Sequence, residues 1–141
     1  MRPSIIVTNL PVKVSPDLLN VLWLHMAGKQ TTIQQAHAVT LNFKDPSYSA
    51  TTGGFHPVEI RLTRRGDDWH LAYVTDFAYV GIGDYAELAK ELDFDFSSDH
   101  FSHALIGEMP SADVPEWFTL WQDNFLSYHS LGVYKVQLSL N

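Results

Sequence analysis

From Val58 to Phe77 the chain alternates apolar and polar side chains, reverses, and alternates again. A chain that does this is built to pair with itself as an antiparallel ribbon. Val58, Ile60 and Leu62 alternate with Glu59, Arg61 and Thr63, and Arg64-Arg65-Gly66-Asp67 supplies the glycine for a tight reversal. On the return, alternation places Trp69, Leu71, Tyr73, Thr75 and Phe77 on one face and His70, Ala72, Val74 and Asp76 on the other.

The neighbours of this ribbon are legible on both sides. His37, Val39, Leu41 and Phe43 alternate with Ala36, Ala38, Thr40 and Asn42 as a half-buried strand, stopped by Asp45-Pro46-Ser47-Tyr48-Ser49. Small residues from Ala50 to Gly54 form a loop, and Pro57 restricts His56 to extended geometry. Beyond Gly81-Ile82-Gly83-Asp84 a further strand is expected from about Leu88 to Phe96, and a short second helix over Asp99 to Ile106. Val133 to Leu140 closes the chain as a last strand.

Two helices have clear starts. Ser15 caps the first, with Pro16 at a position that needs no N–H and Asp17 at the positive end of the dipole. Its apolar stripe is Leu18, Leu19, Leu22, Trp23 and Met26, and Gly28 ends it. The other starts at Ser111-Ala112-Asp113-Val114-Pro115 and presents Trp117, Phe118, Leu120, Trp121, Asn124, Phe125 and Tyr128 through about Leu131, before Gly132. These stripes need cover, which a sheet provides. The expectation is a mixed α+β domain over residues 1–141, with a largely antiparallel sheet of about five strands and an N-terminal and a long C-terminal helix packed on it.

Composition narrows the function. At 141 residues with 45% hydrophobic content the chain can bury a real core, alone or as a homo-oligomer. Nine basic against 16 acidic residues give a formal net charge of -7, which argues against nucleic-acid binding. The absence of cysteine removes disulfides, thiol nucleophiles and zinc-thiolate sites. Ile5-Ile6-Val7 is too short an apolar run for a signal peptide or a membrane span, so a cytoplasmic protein without membrane contact is expected.

The segments Leu41-Asn42-Phe43-Lys44-Asp45-Pro46-Ser47-Tyr48-Ser49, Gly53-Gly54-Phe55-His56-Pro57-Val58-Glu59-Ile60-Arg61, Tyr73-Val74-Thr75-Asp76-Phe77-Ala78-Tyr79 and Glu91-Leu92-Asp93-Phe94-Asp95-Phe96 resemble a family of short bacterial proteins, domain of unknown function 2787. The resemblance, over somewhat under half the chain, implies a small α+β bacterial domain. It implies no activity and carries over no functional residues.

Candidate chemistry is sparse. Asp76 ends a strand of large apolar residues, where it either bonds to turn N–H groups or, if partly buried and oriented by His56 or His70, acts as a general base. Asp99, His100 and His103 are potential metal ligands, the two histidines sharing a face if the segment is helical; Asp93 and Asp95 otherwise read as a solvent-facing edge. Neither glycine cluster continues into a phosphate-binding fingerprint, and no serine lies in a nucleophile elbow. No catalytic constellation, metal site or cofactor is therefore expected. Aromatics at 13% exceed what a small core needs, and Tyr48, Phe55 and Tyr79 fall in loops. The first reading is a non-enzymatic binding or interaction module that uses these loop aromatics against an unidentified protein or small molecule. The alternative is a small-ligand protein or enzyme with a pocket between sheet and helices involving Asp76 and a histidine.

Overall fold

The computed structural model describes residues 4–27, 33–81 and 83–141. Its frame is an eight-stranded sheet rather than one of about five strands. In chain order the strands are β1 (Ser4–Ile6), β2 (Ala38–Lys44), β3 (Val58–Arg65), β4 (Asp68–Val80), β5 (Glu87–Asp95), β6 (His100–His103), β7 (Gly107–Glu108) and β8 (Lys135–Leu140). They lie in the order β7-β6-β5-β4-β3-β2-β8 with antiparallel neighbours, while β1 pairs β4 in parallel. β1 occupies the stretch of β4, Asp68 to His70, that lies beyond the reach of β5.

The extra strands are short or atypical. β1 has three residues and β7 two, too few to show a period. β6 replaces the helix expected over Asp99 to Ile106. Phe101 and His103 have the period of a strand and pair with Phe94 and Leu92, so their apolar row continues that of β5. The reversal before it is fixed by Asp95, whose Oδ1 accepts from Ser97 Oγ at 2.6 Å and Ser98 N at 3.2 Å, and by Asp99 at a φ of 54°.

Two α-helices are found among the described residues, α1 (Pro16–Ala27) and α2 (Val114–Ser130). Ser15 Oγ accepts from Leu18 N at 3.2 Å and caps α1; the stop expected at Gly28 lies outside the described residues. α2 ends where Gly132, at a φ of 74°, donates its N–H to His129 O at 3.0 Å. Gln122, buried on α2, holds the chain entering α1: its Oε1 accepts from Ser15 N at 3.0 Å and its Nε2 donates to Lys13 O at 3.4 Å.

Register decides what faces the helices. A row of apolar side chains, Leu138, Leu41, Ile60, Val74, Phe94 and Phe101, crosses β8, β2, β3, β4, β5 and β6 on the core face. Phe94, the next to last of them, meets Phe118 of α2 edge to face, ring centroids 5.2 Å apart. The opposite face of the sheet is polar, with Arg61 bonded to Thr40, Thr75 to Asp93, and Tyr73 to Glu59.

The face assignment within β4 differs from simple alternation. The β3–β4 ladder shifts register between Arg61 and Leu62, leaving Ala72 as an extra residue between Leu71 and Tyr73. The carbonyl of Ala72 accepts instead from Ser97 N at 3.0 Å. Beyond this bulge the faces exchange. Trp69, Leu71, Val74 and Asp76 therefore share the core side, and Tyr73 and Thr75 turn to the polar side.

Candidate functional site

The row beside the apolar one reads Val136, Phe43, Val58, Asp76, Leu92 and His103. It places one carboxylate in the middle of the core face, beneath α2. There the sheet and α2 separate to leave a cavity of about 390 Å³, within the range of small-molecule sites. Its floor is Val58, Asp76, Glu91 and Leu92; Trp117, Trp121, Asn124 and Tyr128 of α2 form its roof; Phe55, His56 and Tyr134 close one side.

A second bulge brings in Glu91. The β4–β5 ladder pairs Asp76 with Leu92 and Phe77 with Lys90, which leaves Glu91 extra, its carbonyl accepting from Ala104 N at 2.8 Å. The side chain of Glu91 consequently lines the cavity instead of following Asp93 to the polar face. His56 arrives from the loop before β3. Its Nδ1 lies 3.2 Å from Asp76 Oδ1, a hydrogen bond, and 2.9 Å from Glu91 Oε2, an ion-pair distance, although that buried oxygen accepts no hydrogen bond. His56, Asp76 and Glu91 each offer a ligand atom within 4.8 Å of the others.

The electrostatics follow from this crowding. Burial pushes the Asp76 carboxyl above its usual range and Glu91 adds to the push, while the bond from His56 opposes both. The imidazole of His56 is held above its ordinary value, first by the hydrogen bond to Asp76, with burial acting the other way. Trp121 lies near enough to Asp76 to favour its charged form, yet its buried Nε1–H reaches no acceptor. Burial also raises the Tyr134 hydroxyl, with Asp76 contributing.

The loop that carries His56 is clamped by Asp45. Its Oδ1 accepts from Ser47 N at 2.9 Å and Ser47 Oγ at 2.6 Å, and its Oδ2 accepts from Phe55 N at 3.0 Å. The Ser47 hydroxyl, followed by the two N–H groups, holds the Asp45 carboxyl below its usual range. Gly54, at a φ of 133°, passes close beneath this turn.

The residues singled out in the sequence are distributed unevenly about this site. Asp76 and His56 meet; His70 pairs with Thr63, six positions along β4 and roughly 20 Å from Asp76. Phe55 lines the cavity and packs on Tyr128 with centroids 4.6 Å apart. Tyr48 lies between Tyr79 at 5.2 Å and His56 at 5.4 Å, its hydroxyl accepting from Tyr79 N at 3.0 Å. Of these three aromatics only Tyr79, at 38% exposure, is an exposed side chain. Asp99, His100 and His103 do not converge, because on a strand the two histidines take opposite faces: His103 packs its ring on Trp117 at 4.9 Å and accepts from Leu105 N at 3.0 Å, whereas His100 pairs with Asp95 on the polar side. Glu91, Trp117, Trp121 and Tyr128 were not among the sequence candidates for the site.

Comparisons with known proteins agree with this architecture. The hypothetical protein VC0508 from the VSP-II pathogenicity island of Vibrio cholerae superimposes with a TM-score of 0.88 at 34% identity, over 98% of this chain and 100% of that one. The conserved hypothetical protein VC1805, from pathogenicity island VPI-2 of the same species and described as sharing structural homology with the human P32 protein, gives a TM-score of 0.82 at 36% identity over 96% and 99% of the two chains. A search of curated proteins gave no match. The family model for proteins of unknown function DUF2787 matches residues 16–139, well beyond the central segments that carry the resemblance in sequence, and the chain belongs to that family.

Proposed function

We propose that the protein is a binding module whose cleft between the sheet and α2 takes a small ligand, cationic or rich in hydrogen-bond donors at one end and flat and apolar at the other. The observation that carries this reading is the placement of Asp76 on the core face, in a row otherwise filled by Val136, Phe43, Val58, Leu92 and His103. Withdrawing a carboxylate from water costs stability unless something pairs with it. His56 satisfies one of its oxygens, and the cavity leaves room for a further partner.

The lining selects among ligands. Asp76 and Glu91 attract positive charge, and the described residues around the cavity include no Lys or Arg to hold a phosphate or a carboxylate. Trp117, Trp121 and Tyr128 line the cavity with aromatic rings, a chemistry that suits both a flat apolar body and a cation. Binding rather than catalysis is favoured because, among the described residues, the lining includes no Ser, Thr, Cys or Lys to serve as a nucleophile beside the Asp76–His56 pair. Phe55 and Tyr48 support this cleft from the side, so the loop aromatics act in binding as its wall.

A tryptophan-fluorescence titration against ring-bearing amines and amides tests the reading. The expected result is saturable binding with Kd below about 1 mM, weakened by Asp76→Asn at the polar end and by Leu120→Arg at the mouth. No saturable ligand in such a panel, or equal binding by both variants, refutes it.

A further inference from the structure

We infer that His56, Asp76 and Glu91 hold a first-row divalent metal ion of the Zn²⁺ or Mn²⁺ kind at the floor of the cleft. The inference deepens the reading above and rests on its acidic floor, not on its aromatic walls.

Geometry is the first support. Donor atoms around a tetrahedral ion at 2.0–2.1 Å stand about 3.3 Å from one another. His56 Nδ1 stands 3.2 Å from Asp76 Oδ1 and 2.9 Å from Glu91 Oε2. All three donor atoms lie within 4.8 Å, so shifts of side-chain torsions bring them onto one ion. They come from three separate pieces of backbone, the loop before β3, strand β4 and the bulge of β5. Without the bulge, alternation would send Glu91 to the other face.

Charge is the second. Two carboxylates and one imidazole meet in a partly buried site whose described lining includes no Lys or Arg. A divalent ion bound by the neutral imidazole cancels both carboxylates. Glu91 Oε2, buried and without a hydrogen bond, is then a ligand atom rather than an orphan. Imidazole with carboxylate oxygen favours zinc, manganese or iron over calcium or magnesium, which prefer oxygen alone.

The third support comes from the roof of the cleft, beside Asp76. Trp121 is 4% exposed, lines the same cavity, and has a buried Nε1–H with no acceptor. A buried donor of this kind calls for an acceptor from the occupant of the site. Three protein ligands leave a fourth position facing the cavity, and an oxygen bound there, from water or from an organic ligand, can receive that hydrogen bond.

The test uses the full chain stripped with a chelator, then titrated calorimetrically with Zn²⁺ and with Mn²⁺ alone, alongside Asp76→Asn, Glu91→Gln and His56→Gln. The expected result is one ion per chain for at least one of the metals. At a hundredfold excess over Kd the melting temperature should rise by about 5–10 °C. Affinity should fall by more than about 100-fold in each variant that retains a metal-free melting transition near that of the parent. No one-to-one binding below millimolar metal overturns the inference. So does equal binding by the folded variants, which would place the ion on other histidines. Amine binding that needs Asp76 without any metal binding leaves the cleft reading standing and removes this one; metal binding without any organic ligand does the reverse.

Discussion

Gly53 and Gly54 are adjacent, both have positive φ, and they should respond very differently to a methyl group. At Gly53 the φ is 69° and a Cβ would meet nothing within 4 Å. Alanine there bears only the left-handed penalty of about 1–2 kcal/mol, offset by about 0.4–1 kcal/mol from a stiffer unfolded chain, so Gly53→Ala should cost no more than about 1 kcal/mol. At Gly54 the φ is 133°, and a Cβ would lie 2.9 Å from Asp45 Oδ2 and 3.0 Å from Tyr48 Cα. The carboxylate can swing into water, whereas the Tyr48 backbone cannot. Strain in a region that only glycine populates contributes about 1–3 kcal/mol, and the forced backbone shift contributes a similar amount. Gly54→Ala should therefore cost about 2–6 kcal/mol, seen as a melting temperature lowered by roughly 6–20 °C. Urea denaturation of both variants with unchanged m-values is the assay. Because Gly54 precedes Phe55 and His56, Gly54→Ala should also weaken cleft binding while Gly53→Ala should not. Equal destabilisation by the two substitutions refutes the argument that close approach, rather than turn flexibility, requires glycine at 54.

Two further outcomes follow from the core and the helix contact. Phe94 is fully buried at the centre of the sheet and touches Phe118 and Trp121, so Phe94→Ala should cost about 3–5 kcal/mol in urea denaturation; a loss under about 1 kcal/mol would mean the site collapses around the void. His25 and His129 meet across α1 and α2 with Nε2 atoms 2.8 Å apart, and both imidazoles are held below their ordinary value, His25 by burial and then by His129, His129 by burial. As pH falls below about 6.5 the unfolded chain takes up these protons before the folded one does, so stability present at neutral pH is lost on acidification. His129→Gln should flatten that decline between pH 7.5 and pH 5, and an unchanged slope would refute the assignment.

How much of this was legible depends on where backbone regularity held. Ser15-Pro16-Asp17, Ser111-Ala112-Asp113-Val114-Pro115, Gly132 and the Arg65-Gly66 reversal act locally and mark their elements directly. The bulges at Ala72 and Glu91 arise from how two strands meet, and no residue type there announces them. Strict alternation therefore sends Asp76 away from Trp69 and Leu71, and Glu91 outward with Asp93. The His56–Asp76 meeting was suspected because the two flank a hairpin, but the third member of the cluster was invisible for the reason just given. His100 and His103 mislead in the opposite sense. Three residues apart, they look like one helical face, and pairing of Phe101 with Phe94 converts the segment to a strand that separates them. Trp121 and Tyr128 were correctly placed on an apolar helix face, but nothing in a helical period tells which aromatics touch core and which roof a cavity.

The position of β2 bears on how the chain reaches this state. β2 is flanked by β3, which follows closely in sequence, and by β8, which pairs Leu41 with Leu138 and is made some 95 residues later. Until residues 135–140 leave the ribosome, one edge of β2 presents unpaired backbone beside Val39, Leu41 and Phe43, the kind of edge that templates association between chains. Pairings of such long range also slow folding, because loop closure comes before any contact repays it. Docking of β8 exchanges that edge for its own, on which Lys135, Gln137 and Ser139 alternate with Val136, Leu138 and Leu140, so substitutions in β8 that slow docking, far from the cleft, should lower expression yield.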